Sequence, residues 1–272
     1  MAADRTFLAD LRLGLRPRFF LAILGVCLCF CFDNLEGLRG CYRNPYIRAE
    51  NSVTCVMYFF FNSFSFGGLF TQFFAPMLAA IPLACAYCTE HQGGLTVYKL
   101  TRCGQKTYVR SKFLGAALLG GLTLFCGGGL FILTLHSFLP VVTPQKLLES
   151  DWIPYFAALS AGDGSTYLWI VLYLSFLGGT LWSSVGLCVS AFLPSPYVAI
   201  CAPFVFRFLL NQAERLLHLS PALRLDLLLS ARAGTGSDGM TLAVTTAVVL
   251  GLIWIFSRLF SLRIERRLRD AR

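Results

Sequence analysis

Charge is what this sequence has least of. Of 272 residues only 14% are Asp, Glu, Lys or Arg, while 56% are hydrophobic and the mean hydropathy is +0.66. A soluble domain of this size carries roughly 25% charged residues. The charges that exist gather in a few clusters. Between them lie uncharged runs of the length that crosses a bilayer, about 20 residues of helix for ~30 Å of hydrocarbon. These runs also lack the polar–apolar alternation of a membrane β-barrel. Both absences point to an all-α, polytopic membrane protein.

Other absences narrow the chemistry. There is no GxxxxGK[ST] phosphate loop; Gly104-Gln105-Lys106-Thr107 lacks the first glycine and the Gly-Lys pair. The three histidines, His91, His136 and His218, never form HExxH and lie in three separate parts of the chain, so no metal site is expected. Ser183-Ser184 has no membrane-embedded base beside it. No enzyme activity and no cofactor are expected on this chain. Most of the eleven cysteines sit inside apolar runs, where they act as small hydrophobes. Cys85-x-x-Cys88 has no second pair to complete a zinc site, and Cys41 and Cys55 share a predicted outer loop where they are a candidate disulfide. No small-residue cleavage site follows the first apolar stretch, so no signal peptide is expected.

What is present reads as one membrane domain over 1–272, with an interface helix in 1–18, six spans in 19–262 and a basic tail over 263–272. In residues 4–16, Phe7, Leu8, Leu11 and Leu15 share one helical face and Arg5, Arg12 and Arg16 lie beside it, the pattern of a helix in the membrane interface. Pro17 then lets the chain turn inward. Span one is Phe19–Phe32, followed by a mixed-charge loop over 33–52. Val53 to Thr89 holds no charge and would be about 55 Å long as one helix, so it must break, at Ser65-Phe66-Gly67-Gly68. That leaves an aromatic outer or re-entrant segment, Val53–Phe64, and span two, Leu69–Thr89, kinked by Pro76 and Pro82. Span three is about Ser111–Ser137, span four Thr166–Leu193, span five Tyr197–Leu210 and span six Met240–Phe260. Residues 139–165 form an acidic, proline-containing outer loop, and the Leu-rich 211–238 forms short helices on the outer surface. Stripes of small residues, Ala116, Gly120 and Gly128 on span three and Ser175, Gly179 and Ser183 on span four, invite close helix contact. Arg207 is the one charge deep in a span. Either it snorkels to the outer headgroups beside Asn211 and Glu214, or it lines a substrate path together with Gln72 and Asn211.

Glu90 to Lys112 is the long polar interruption, with Lys99, Arg102, Lys106, Arg110 and Lys112 against one acid. Excess Lys and Arg in a short loop marks the cytoplasmic side. With six spans, that puts both termini and this segment in the cytoplasm of a cell whose inner membrane holds the protein. The net charge of +9 is thereby explained as orientation, with no nucleic-acid partner. Gly93-Gly94 turns the chain, Leu95 to Thr101 makes two helical turns, Cys103-Gly104 ends them, and a new helix starts near Thr107.

In this order of elements the chain resembles the ABC-2-type permeases, the membrane subunits of type V ABC exporters. The residues that carry the resemblance are Pro76-Met-Leu-Ala-Ala-Ile-Pro82, then Glu90-x-x-Gly93, Arg102, Tyr108 and Lys112. The resemblance implies that Glu90, Gly93, Gly94, Leu95, Tyr98, Arg102, Tyr108 and Lys112 belong to a coupling helix and its supports, seated on a separate ATPase subunit that binds ATP and Mg. It implies a second permease subunit, identical or not, with substrate passing between the two and an exit gate before spans two and six. Peptides, lipids and lipophilic drugs all suit an apolar, aromatic path. The alternative is a secondary transporter or channel without an ATPase. Ion-driven carriers use intramembrane carboxylates, and the six span cores hold none. A membrane enzyme or sensor subunit is a third class, disfavoured by the lack of an acid–base pair inside the membrane.

Overall fold

The computed structural model describes residues 2–43, 56–65, 68–139, 155, 164–234 and 237–270. Among these there is no strand; the protein is all-α. The helices in chain order are α1 (Ala2–Gly14), α2 (Pro17–Asp33), α3 (Leu35–Arg43), α4 (Val56–Ser65), α5 (Leu69–Ala80), α6 (Ala86–Gln92), α7 (Leu95–Cys103), α8 (Gln105–His136), α9 (Gly164–Phe192), α10 (Pro196–Leu216), α11 (Leu225–Leu229) and α12 (Asp238–Asp270), with a 3₁₀ turn at Pro221–Leu223. The expected loop 139–165 and the Cys55 half of the candidate disulfide lie almost wholly outside the described residues, as does the side chain of Cys41.

Three helices, α8, α9 and α12, are long and apolar enough to cross a membrane, and α1 with α2, bent by 52°, makes a fourth if taken as one span. The bend sits where Pro17 opens α2 at its first position, which needs no backbone N–H donor. Helix α9 is the axis of the bundle. In its most apolar window 83% of residues are buried, against 17% for α12, which therefore faces outward along most of its length.

The contact between α8 and α9 depends on the small-residue stripes. A β-carbon on Gly179 would lie 2.3 Å from the carbonyl oxygen of Gly120, and one on Gly120 would lie 2.3 Å from Ser183 Cβ. The two stripes thus face each other inside one chain.

Two apolar cores stack along the bundle. One is aromatic, with Phe30 packed against Phe60 and Phe131 at ring-centroid distances of 5.1 and 5.3 Å. The other lies nearer the start of α8 and includes Phe19, Leu83, Tyr87, Phe113, Leu119 and Phe260.

Three sequence expectations are corrected. Residues 69–89 are not one kinked helix: α5 stops at Ala80, the chain makes turns over 81–85, and α6 begins at Ala86. Pro82 has no N–H to give and its ring clashes with the preceding turn, so the helix breaks there. Part of the mixed-charge loop after span one is helical, as α3. Residues 211–216, expected among the short helices of the outer surface, instead continue α10 to Leu216, and α11 buries Leu225, Leu228 and Leu229.

The start of α5 is capped by Asp33, at the end of α2. Its carboxylate accepts from the backbone N–H of Phe70 (2.8 Å) and Thr71 (2.9 Å) and from the Thr71 hydroxyl (2.5 Å). Gly68 makes room for it; a β-carbon there would overlap the Asp33 side chain at 2.0 Å. Asp33→Ala should destabilise the purified protein by about 1–2 kcal/mol, the range for loss of a helix cap. An unchanged thermal unfolding midpoint would show that solvent replaces the carboxylate.

Candidate functional site

Helix α7 is set off at both ends by glycines with positive φ, Gly94 (φ +69°) and Gly104 (φ +76°). Nothing lies within 4 Å of a β-carbon at either, so the requirement is conformational, not one of space. The chain after Gly104 enters α8 at once. On its first turns Tyr108, Ser111 and Lys112 fall on one face, at spacings of three and four.

That face meets α1 and α6 in a buried charge cluster. Lys112 is completely buried. Its Nζ donates to Asp10 Oδ1 of α1 at 2.6 Å and also to Glu90 Oε1 of α6. Glu90 further accepts from Lys99 Nζ of α7 at 2.6 Å and from the Tyr108 hydroxyl at 2.8 Å. Asp10 accepts from Ser111 Oγ at 2.8 Å. Two carboxylates thus balance two ammonium groups, and four helices share one network. Burial alone would raise the pKa of Glu90. The Lys112 charge and the hydrogen bonds from Lys112, Lys99 and Tyr108 outweigh it and hold the carboxyl below its ordinary range.

The opposite side of α7 is open. Leu95 and Tyr98 are exposed, as is Arg102 near the C-terminal end, while Thr96 and Leu100 are buried. Arg102 makes no ion pair among the described residues. Together with Thr6 and Ala9 of α1, this side borders a cleft of about 750 Å³.

Of the eight residues expected in the coupling segment, Glu90, Tyr108 and Lys112 therefore come together inside. Gly93 and Gly94 turn the chain, and Leu95, Tyr98 and Arg102 face out. Glu90 sits in α6 and ties that helix to α8; it does not open α7. Asp10 was the residue missed. Its signal was its position on the α1 wheel, on the flank away from Arg12 and Arg16.

Comparison of the chain with protein-family models, curated proteins and solved structures finds no match.

The second expected group is only partly assembled. Arg207 pairs with Asp226, whereas Glu214 pairs with Arg224. The Arg207 guanidinium donates to Asp226 of α11 (Nε 3.0 Å, Nη2 2.9 Å) and to the backbone carbonyl of Gln72 at 3.2 Å. The reason is that α11 is folded inward, bringing the carboxylate of Asp226, 19 residues further along the chain, to this cation. Glu214 caps α11 instead, accepting from the Leu225 N–H at 2.9 Å. Gln72, Arg207, Asp226, Ser175 and Trp182 border a cavity of about 60 Å³, space for a few waters. Asn211 is outside it and accepts from Arg224 at 3.4 Å. Among the described residues no group of three His, Cys, Asp or Glu could hold a metal ion.

Proposed function

We propose that this chain is the permease subunit of a two-component ABC transporter of the ABC-2 type, exporting a peptide, lipid or lipophilic drug. In this reading α2, α5 with α6, α8, α9, α10 and α12 make six spans in a cytoplasmic membrane, with both termini inside. Helix α7 seats on a separate ATPase subunit that binds ATP and Mg, and a second permease subunit completes the path. The observation that supports it best is the division of α7: Leu95, Tyr98 and Arg102 are presented outward, while Lys99 joins a buried network reaching α1, α6 and α8. A push on the exposed side of α7 is thereby delivered to the long helix α8, the short helix α6 and the N-terminal helix, because a desolvated charge network resists being pulled apart.

The test is whether a phosphate-loop protein co-purifies with the chain and drives transport. Arg102→Ala and Tyr98→Ala should leave insertion intact and reduce transport about tenfold, the loss for ~1.4 kcal/mol at an interface anchored by Arg and Tyr. Normal transport by both variants would remove α7 from the coupling role. Orientation has its own check. A cysteine placed at Gly164 of a cysteine-free protein should react with an impermeant thiol reagent in intact cells, and one at Gln105 should not; the reverse pattern would overturn the six-span reading.

A carrier needing no ATPase is favoured by one observation, the Arg207–Asp226 ion pair beside a cavity. It brings to the bundle a carboxylate that the apolar runs themselves lack. Transport by vesicles containing this chain alone, driven by an ion gradient without nucleotide, would establish that reading instead.

A further inference from the structure

A cleft of about 440 Å³, within the range of ligand sites, separates the beginning of α8 from the later turns of α12. Lys106 and Arg110 of α8 and Arg258 of α12 border it, together with the hydroxyl residues Ser257 and Ser261 and the ring of Trp254. None of the three cations has an ion-pair partner among the described residues. The acid on the cleft wall, Glu265, accepts a hydrogen bond from Gln105 at 2.9 Å. Three unpaired positive charges around one cleft repel each other, and an anion seated among them removes that cost.

The neighbouring surface identifies what kind of anion. Going up α12, away from the basic end, the side facing the cleft changes from Glu265, Ser261 and Arg258 to Trp254 and Leu250, the last two 60% and 56% exposed. On α8 the same change runs from Lys106 and Arg110 to the exposed Leu114 and Leu118. Both helices are long and apolar enough to cross a membrane, so this shared change in character falls where a headgroup layer meets hydrocarbon. Arg258 lies over the Trp254 ring at 5.3 Å, an aromatic and a cation stacked at the boundary. A free anion would have use for the basic end alone. A molecule with a phosphate and acyl chains matches the basic end and the apolar stripe together.

We propose that this cleft binds the phosphate headgroup of an anionic phospholipid, with its chains lying along Leu250 and Trp254 of α12. The inference needs only that α8 and α12 cross the membrane, and it stands apart from the transporter reading. Phosphate oxygens accept from Lys106, Arg110 and Arg258, and the serine hydroxyls are placed to satisfy the remaining headgroup oxygens.

The test uses the purified full chain in detergent, titrated with brominated phosphatidylglycerol or brominated phosphatidylcholine. The Trp254 signal is taken as the difference between the wild type and Trp254→Phe. Quenching by the glycerol lipid should occur at a lower mole fraction than quenching by the choline lipid. Lys106→Gln, Arg110→Gln and Arg258→Gln should each weaken the glycerol lipid about fivefold and leave the choline lipid unchanged. Arg12→Gln with Arg16→Gln, basic residues outside the cleft, should not alter the preference. Equal quenching by both lipids, or a preference kept when all three cations are replaced, would overturn the proposal. So would a preference lost equally in the Arg12 and Arg16 variant, which would mean general charge attraction. If millimolar inorganic phosphate displaces the glycerol lipid, the site is one for free phosphate and the lipid assignment fails. Should the triple variant not stay monodisperse on gel filtration, the three single variants carry the same reading.

Discussion

Lys112→Met is expected to destabilise the protein by about 3–5 kcal/mol, the range for removing one partner of a buried ion pair. The side chain it replaces is completely buried between Asp10 and Glu90. Methionine fills a similar volume but leaves Asp10, among the described residues, with Ser111 Oγ as its side-chain donor and Glu90 with Lys99 and Tyr108. Adding Asp10→Asn removes the uncompensated charge and should restore part of the loss, a coupling that a double-mutant cycle would measure. Thermal unfolding of the four proteins in one detergent is the measurement. Equal midpoints for wild type and Lys112→Met would mean that water reaches the cluster. The same cluster makes stability depend on pH. Because folding lowers the pKa of Glu90, the folded state gains stability above the ordinary carboxylate range and loses it as pH falls through the lowered value. Glu90→Gln should flatten the acid limb of the stability profile.

The second large effect is expected at the contact between α8 and α9. Gly179→Leu should cost at least about 3 kcal/mol, the upper end of the range for overpacking. A β-carbon there meets backbone, Gly120 O at 2.3 Å and Gly120 C at 2.9 Å, and backbone has no rotamer to move into. Even Gly179→Ala should be harmful. Gly129→Ala and Gly251→Ala are the controls, since nothing lies within 4 Å of a β-carbon at either. They should be neutral or slightly stabilising, because alanine favours helix over glycine. If Gly179→Leu unfolds at the wild-type temperature, the two helices separate more readily than their packing implies. Loss of self-association with an unchanged unfolding midpoint would place the stripe between chains instead of within one.

Composition and run length alone were enough to read an all-helical protein with spans long enough for a membrane, and to place its helices approximately. Long uncharged runs have few ways to satisfy their backbone in lipid, and helix is the local one, so composition alone decides it. The break before Leu69 and the glycine turns at Gly94 and Gly104 were equally legible, because Gly acts through its own backbone. Pro82 was legible as a disturbance, yet whether it kinks or ends a helix depends on what packs against the freed carbonyls. Tertiary structure alone decided which charges meet. Asp10 and Lys112 are 102 positions apart, and Arg207 reaches Asp226 only because α11 folds back into the bundle. Local spacing carries no record of such pairs; they form because a charge taken out of water needs an opposite charge within reach, and the packed helices decide which one that is. The same holds for the small-residue stripes. Their spacing announced a close contact, and the partner across it was chosen by the path of the chain.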